Sequence, residues 1–167
     1  MKQLYERTSR TRTASEMDKF TRAAIGAHAE EYQLNNLIPS TLHYFEINSV
    51  RIHKPGLLAR LTGLNDSDAI FRTLVIVGSN YLVIVISGHK KGINVLSAAL
   101  DSIVIDAPSS AASIENGFHI RGSWTNDEDF APFYLGISND PEGRLIFNTL
   151  CLAVRESRQS PGRHRRR

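Results

Sequence analysis

Two runs rich in β-branched residues, 71–77 and 81–86, stand either side of Gly78-Ser79-Asn80, and no other segment limits the fold as much. Glycine and asparagine tolerate the positive φ used by tight hairpin loops, so the segment predicts a β-hairpin. The same stretch, 74–86, is the most apolar in the chain. A bilayer-spanning helix needs about 20 consecutive apolar residues, and thirteen with turn chemistry in their middle do not supply one.

The segments around the hairpin continue the strand pattern. Leu42, Tyr44, Phe45, Ile47, Val50 and Ile52 predict a strand, broken by His53-Lys54-Pro55-Gly56. A short helical turn at 57–61 sits inside the long connection that follows, closed by Gly63 and the polar run 65–68. Gly88-His89-Lys90-Lys91-Gly92 makes a turn. Ile93, Val95, Leu100, Ile103 and Ile105 extend the strands, with a break or bulge at 97–99. After a small-residue loop at 107–116, Phe118 and Ile120 alternate with His119 and Arg121. An acidic turn at 124–129 leads to a last strand through Phe133, Leu135 and Ile137.

Helices are expected at both ends. One starts near Ser15, whose hydroxyl can cap it, carries Met17, Phe20, Ala24, Ala27 and Glu31 on one stripe, and stops before Pro39. The other has Asn139 or Asp140 as N-cap, Pro141 in its first position and Glu142 in its first turn. Its stripe is Leu145, Ile146, Phe147, Leu150, Cys151 and Val154, with Arg155 and Arg158 where the helix dipole favours cations. The order is a helix, about seven strands in a meander and a closing helix: a mainly β (α+β) chain with a bent or split antiparallel sheet. The expected divisions are a basic flexible N-terminus at 1–13, a helix at 14–37, a β domain at 38–157 and a basic disordered tail at 158–167.

Residues 42–157 resemble the bacterial pleckstrin-homology-like (PH-like) family. The likeness rests on three stretches. They are the hairpin Thr73 to Val85, the small-then-aliphatic segment Asn94 to Ile105, and the run Phe133-Tyr134-Leu135-Gly136-Ile137-Ser138-Asn139-Asp140-Pro141 leading directly into the amphipathic helix. The resemblance implies a PH-like bent antiparallel barrel of about seven strands, a C-terminal capping helix, and a binding scaffold rather than an enzyme. The N-terminal helix is extra to it. Eukaryotic members that bind inositol phospholipids cluster cations on the first strands and their loop. Here that region has Arg51, His53, Lys54 and Arg60 mixed with Asp66 and Asp68, so phosphoinositide headgroup binding is not expected.

Charge is unevenly spread. Residues 1–12 sum to +3 and residues 155–167 to +5, against +3 for the whole chain, so the body between them carries −5. The N-terminus has charge but no apolar run behind it, so no secretory signal is expected. One cysteine excludes a disulfide scaffold and fits a reducing cytoplasm. No metal is expected, because the six histidines lack ligand spacing and neither acidic turn has a calcium-loop register. No cofactor is expected either: phosphate-binding glycine loops and nucleophile elbows are absent. Cys151, on an apolar stripe, reads as a core residue.

The candidate anion-binding residues are His89, Lys90 and Lys91 in the glycine-flanked turn, and Arg163, Arg165, Arg166 and Arg167 in the tail. Lysines and backbone amides of such a turn can receive a phosphate, and clustered arginines grip polyanions. Leu57, Leu58 and Leu61 in the long connection, with Trp124, are the candidate partner-contact residues. The expected function is a non-enzymatic, self-associating module that recognises a protein partner or an anionic membrane surface, cytoplasmic and peripheral at the membrane. The alternative is a nucleic-acid-associated protein using its arginine-rich tails.

Overall fold

The computed structural model describes residues 4–35, 37–38, 41–52, 69–106, 116–125 and 130–159, and its architecture is mainly β. Five strands form one antiparallel sheet in chain order: β1 (Tyr5–Arg12), β2 (Thr41–Arg51), β3 (Ile70–Gly78), β4 (Tyr81–Gly88) and β5 (Gly92–Ala99). A second sheet holds β6 (Val104–Asp106), β7 (Gly117–Ser123) and β8 (Phe130–Gly136). Helix α1 (Lys19–Glu31) falls between β1 and β2, and α2 (Pro141–Gln159) follows β8.

The central hairpin explains the layering. Successive side chains of a strand point to opposite faces, so an unbroken apolar run has to bury both. Val75 and Val77 of β3, with Leu82 and Ile84 of β4, face the second sheet and α2. There they pack with Phe45, Ile47, Phe118, Ile120, Leu135, Ile146 and Leu150. Leu74, Ile76, Val83 and Val85 face the other way and pack with Met17, Ile25, Tyr44 and Val95 beneath α1. The molecule is thus layered as α1, five-stranded sheet, then the three-stranded sheet with α2.

The two sheets share a core but do not close into a barrel. They are tied at two corners. At one, the Ser138 amide donates to Ser9 Oγ of β1 (3.1 Å). At the other, the Thr125 amide donates to the Ser97 carbonyl of β5 (3.0 Å), and the Ser97 amide donates back to Thr125 Oγ1 (3.1 Å).

Several expectations need correction. Residues 5–12 are not a frayed terminus: they pair with β2 along a register from Tyr5↔Arg51 to Arg12↔Tyr44. With β1 the described strands number eight. Helix α1 begins later than Ser15. Asp18 is its N-cap, accepting from the amides of Phe20 and Thr21, and the left-handed Gln33 (φ 55°) stands just beyond its end, well short of Pro39. Its buried face is Thr21, Ile25 and His28, whereas Phe20 is 67% exposed. The stripe was misplaced because Thr21 and His28 are polar residues whose hydrogen bonds allow burial, which apolar counting does not detect.

Two further differences are smaller. Strand β5 runs unbroken through Ala99, and the interruption comes at 100–103. The hairpin turn forms between the pair Val77↔Leu82, but neither Gly78 nor Asn80 uses positive φ. At the far end, Asp140 caps α2, accepting from the Gly143 amide (2.9 Å) and the Ser138 hydroxyl (2.6 Å). The buried stripe is Gly143, Ile146, Leu150 and Val154, with Phe147 and Cys151 half-buried at its margin and Leu145 exposed. Burial pushes the Cys151 thiol up from its ordinary value. Arg158 donates to the carbonyls of Asp101 and Ile103, so 158–159 belong to the folded body rather than to a tail.

Candidate docking surface at the open end of the sheet

Helix α1 has thirteen residues and spans about 20 Å at 1.5 Å per residue. Strand β2, with eleven, runs for about 36 Å at 3.3 Å per residue. The helix therefore covers part of the sheet face it lies on. Register identifies what α1 leaves uncovered. On the α1 face, Val50 lies opposite Ile70 and Glu6, while Asn48 lies opposite Thr8 and Arg72. Arg72 lies opposite Ser87, and Ser87 opposite Ile93. Beyond Val50 comes Ile52, whose amide donates to the Leu4 carbonyl (3.0 Å).

Leu4, Val50, Ile52, Ile70 and Ile93 thus share one end and one face, and they are 40% to 64% exposed. Scattered surface hydrophobes need no explanation, but a contiguous group marks a contact surface. The β4–β5 turn lies at the same end, because Gly88 pairs with Gly92 beside Phe71. It carries His89, Lys90 and Lys91, all exposed. Gly92 adopts φ +67°, a left-handed conformation that a side-chain-bearing residue would resist.

A polar belt separates this end from the apolar floor under α1. Arg72 Nη2 donates to Asp18 Oδ2 (3.0 Å) and to Thr21 Oγ1 (3.2 Å), and its Nε donates to Ser87 Oγ (3.3 Å). The Thr21 amide, with its hydroxyl and the Arg72 guanidinium, holds the Asp18 carboxyl down to about 2. Nearer β1, Arg12 bridges Glu46 (3.2 Å) and Glu16 (3.1 Å). These bonds pin the N-terminal end of α1 and mark where cover begins.

The C-terminal end of α1 is pinned by His28. Its Nε2 lies 2.9 Å from Ser97 Oγ and 3.2 Å from Thr125 Oγ1, joining α1, β5 and the segment after β7. The first spacing matches that of a nucleophile and its base, but Ser97 is 0% and His28 6% exposed, which leaves no room for a substrate at this pair. The three hydroxyl and imidazole groups act as a tie between layers. The Tyr32 ring lies 4.7 Å from the imidazole, and Glu31 is the charged neighbour.

Burial lowers the His28 pKa, with Glu31 opposing it as the smaller influence, so the unfolded chain takes the proton more readily than the fold does. The stability held here is complete above the ordinary histidine value of 6.5 and declines as pH falls below it. His28→Gln removes the titration. Between about pH 7 and about pH 5 its urea midpoint should therefore change less than that of the wild type. Parallel changes in the two proteins would assign the acid sensitivity to other groups.

The structure distributes the predicted site residues unevenly. It brings His89, Lys90 and Lys91 to the open end of the sheet. Leu57, Leu58, Leu61, Arg163, Arg165, Arg166 and Arg167 lie outside the described residues. Trp124 is corrected: it is buried, packed at 5.5 Å against Phe133, with Nε1 donating to the Ala131 carbonyl (3.2 Å). An indole with its one donor satisfied internally belongs to the core and is not available to a partner. The exposed residues Leu4, Val50, Ile52, Ile70 and Ile93 were missed. Strand periodicity assigned Val50, Ile52 and Ile93 to strands but could not show where α1 stops. Among the described residues no three His, Cys, Asp or Glu side chains form a group able to hold a metal ion. Compared with known proteins, the chain matches no family model, no curated protein and no solved structure.

Proposed function

We propose that this protein is a non-enzymatic, PH-like docking module that attaches peripherally to an anionic membrane surface through the open end of its five-stranded sheet. The observation that carries the reading is the placement of five exposed aliphatic residues beside the His89-Lys90-Lys91 turn. Aliphatic side chains gain by leaving water for the acyl boundary, and each lysine near an anionic leaflet adds about 1 kcal/mol. An exposed group of this composition suits a surface that is apolar just beneath a negative plane.

The PH-like part of the reading is supported by element order. Strands β2 to β5, strands β6 to β8 and α2 follow the succession the sequence resemblance implies, with β1 and α1 as additions. The reading implies a cytoplasmic protein held at the membrane from one side. No described helix is long and apolar enough to cross a membrane.

Sedimentation with lipid vesicles tests the proposal. The protein should pellet with vesicles containing phosphatidylserine and stay in solution with pure phosphatidylcholine, and added salt should release it. Lys90→Glu with Lys91→Glu should lower the bound fraction severalfold, as should Ile52→Ser with Ile70→Ser. A chain ending at Gln159 lacks Arg163, Arg165, Arg166 and Arg167 and isolates the contribution of the sheet end. No pelleting, or equal pelleting of every variant, would overturn the membrane reading and leave a protein partner for this surface. A gel shift with DNA, lost in the shortened chain, would instead support the nucleic-acid alternative.

A further inference from the structure

Charge on α1 runs against the dipole of the helix that carries it. A helix favours acidic side chains near its N-terminus and basic ones near its C-terminus. Here Lys19 and Arg22 stand at the start and Glu30 and Glu31 at the end, all four exposed. The first turn has no acidic residue, and the basic residue of the last turn, His28, is buried. Among the described residues none of the four exposed charges belongs to an ion pair. Lys19 Nζ lies over the Phe20 ring at 5.0 Å, and Arg22 donates to the Ala14 carbonyl (2.9 Å).

The middle of the helix holds a second unfavourable choice. Glycine in a helix interior costs stability relative to alanine. Gly26 does not use positive φ, and a Cβ there would meet nothing within 4 Å. Packing inside the molecule therefore does not call for a glycine at this position. With 3.6 residues per turn, Lys19, Ala23, Gly26, Ala27 and Glu30 fall on the side of α1 opposite the buried Thr21, Ile25 and His28. That side looks away from the sheet, and α1 is the outer layer of the molecule there. It reads cation, small residues, anion, with Phe20, 67% exposed, on one flank.

We infer that this outer side of α1 packs antiparallel against the same side of α1 in a second copy, about a two-fold axis crossing the helix between Ala24 and Ile25. An identical helix is the partner the pattern fits, because turning the helix end for end converts its order of charges into its own complement. Lys19 of each copy meets the partner's Glu30, twice over, as an isologous interface requires. Ala23 meets the partner's Gly26, and the missing side chain lets the helix axes approach to about 8 Å, the near limit for packed helices. Phe20 and Ala27 share one flank, so each Phe20 comes to lie along the partner's Ala27. Each helix also sets its dipole against the other's, which reverses the penalty its own charges carry. The contact is separate from the open end of the sheet.

Sedimentation equilibrium on the full chain tests the arrangement through its symmetry. The wild type should dimerise reversibly. Lys19→Glu alone sets acid against acid across the axis, and Glu30→Lys alone sets cation against cation. Each should weaken association by about tenfold or more, and added salt should shrink the penalty. Both single changes agree with the helix dipole, so the loss would not come from a weakened helix. The double variant K19E/E30K restores opposite charges across the axis and should dimerise nearly as the wild type does. Gly26→Gln enters space that is open in the single chain, so the fold should tolerate it, but it holds the two helices apart and should weaken the dimer to a similar extent.

A monomer at every soluble concentration overturns the inference. So does a dimer indifferent to the single charge reversals or to Gly26→Gln, or a double variant that fails to regain association. Vesicle sedimentation reads the sheet end independently. A monomer that pellets with anionic vesicles removes the dimer and keeps the membrane site. A dimer that obeys the charge exchange and ignores vesicles keeps the dimer and removes the membrane site.

Discussion

Deleting residues 1–12 should destabilise the fold by about 4 kcal/mol or more, although the segment reads as a polar terminus. Three losses combine. Eight residues of ladder pairing to β2 disappear, leaving the β2 backbone unpaired on that side. The Ser138 amide, buried at the corner between sheets, loses its Ser9 acceptor. Glu46 loses Arg12, its partner at 3.2 Å, and keeps only the Asn48 side-chain amide at 3.0 Å. For a chain of this size about 4 kcal/mol corresponds to a fall in melting temperature of roughly 10 °C. Calorimetry of the full-length and shortened proteins measures it directly. An unchanged transition would mean that β1 adds nothing to the fold and that β2 is its natural edge.

The second large effect is expected at Gly143. It lies in the first turn of α2, its amide bonded to the capping Asp140. A Cβ there would run into the Ser138 carbonyl oxygen, with the Ser138 carbonyl carbon 2.9 Å away. Both obstructing atoms are backbone, so nothing can swing aside. Gly→Ala in an exposed helix would normally stabilise by about 1 kcal/mol. Here Gly143→Ala should destabilise by about 2–3 kcal/mol, because the helix must shift off the turn that holds it. A change of sign separates the two cases cleanly in urea titrations. Stabilisation would show that α2 has freedom to move at its start.

How far the fold could be read from sequence depended on whether burial was achieved by apolar residues. The hairpin 71–86, the turn at 88–92 and the Asp140-capped helix were legible because their apolar runs and turn residues agree with one another. Strand β1 was not. Of its eight residues only Ser9 is buried, and its exposed side carries Glu6, Thr8 and Arg10, a composition that suits an edge strand and reads as unstructured. The phase of α1 was hidden for a related reason, since Thr21 bonds Arg72 as well as its own N-cap Asp18, and His28 is held by Ser97 and Thr125, partners far along the chain.

The candidate site was half legible. Lysines between glycines announce an exposed turn wherever it lands. That α1 leaves Val50, Ile52 and Ile70 uncovered follows from its length set against the length of β2, which periodicity within one segment does not report. Trp124 failed in the other direction: an aromatic beside an acidic run looks like a contact residue until its indole nitrogen is seen bonded to Ala131.

The ties between β1 and the start of α2 have a consequence for how the chain comes into being. The Thr11 amide donates to Glu142 across 131 residues, and the Ser138 amide to Ser9 across 129. During synthesis at about 5–20 residues per second, β1 leaves the ribosome roughly 7–26 s before the turn that covers its outer edge exists. Only in the later part of that interval, once β5 has been made, can the five-stranded sheet assemble, and its first strand then presents an open ladder to solvent. The polar, charged sequence of β1 then protects the nascent chain, keeping an unfinished edge soluble until the last strand and helix arrive.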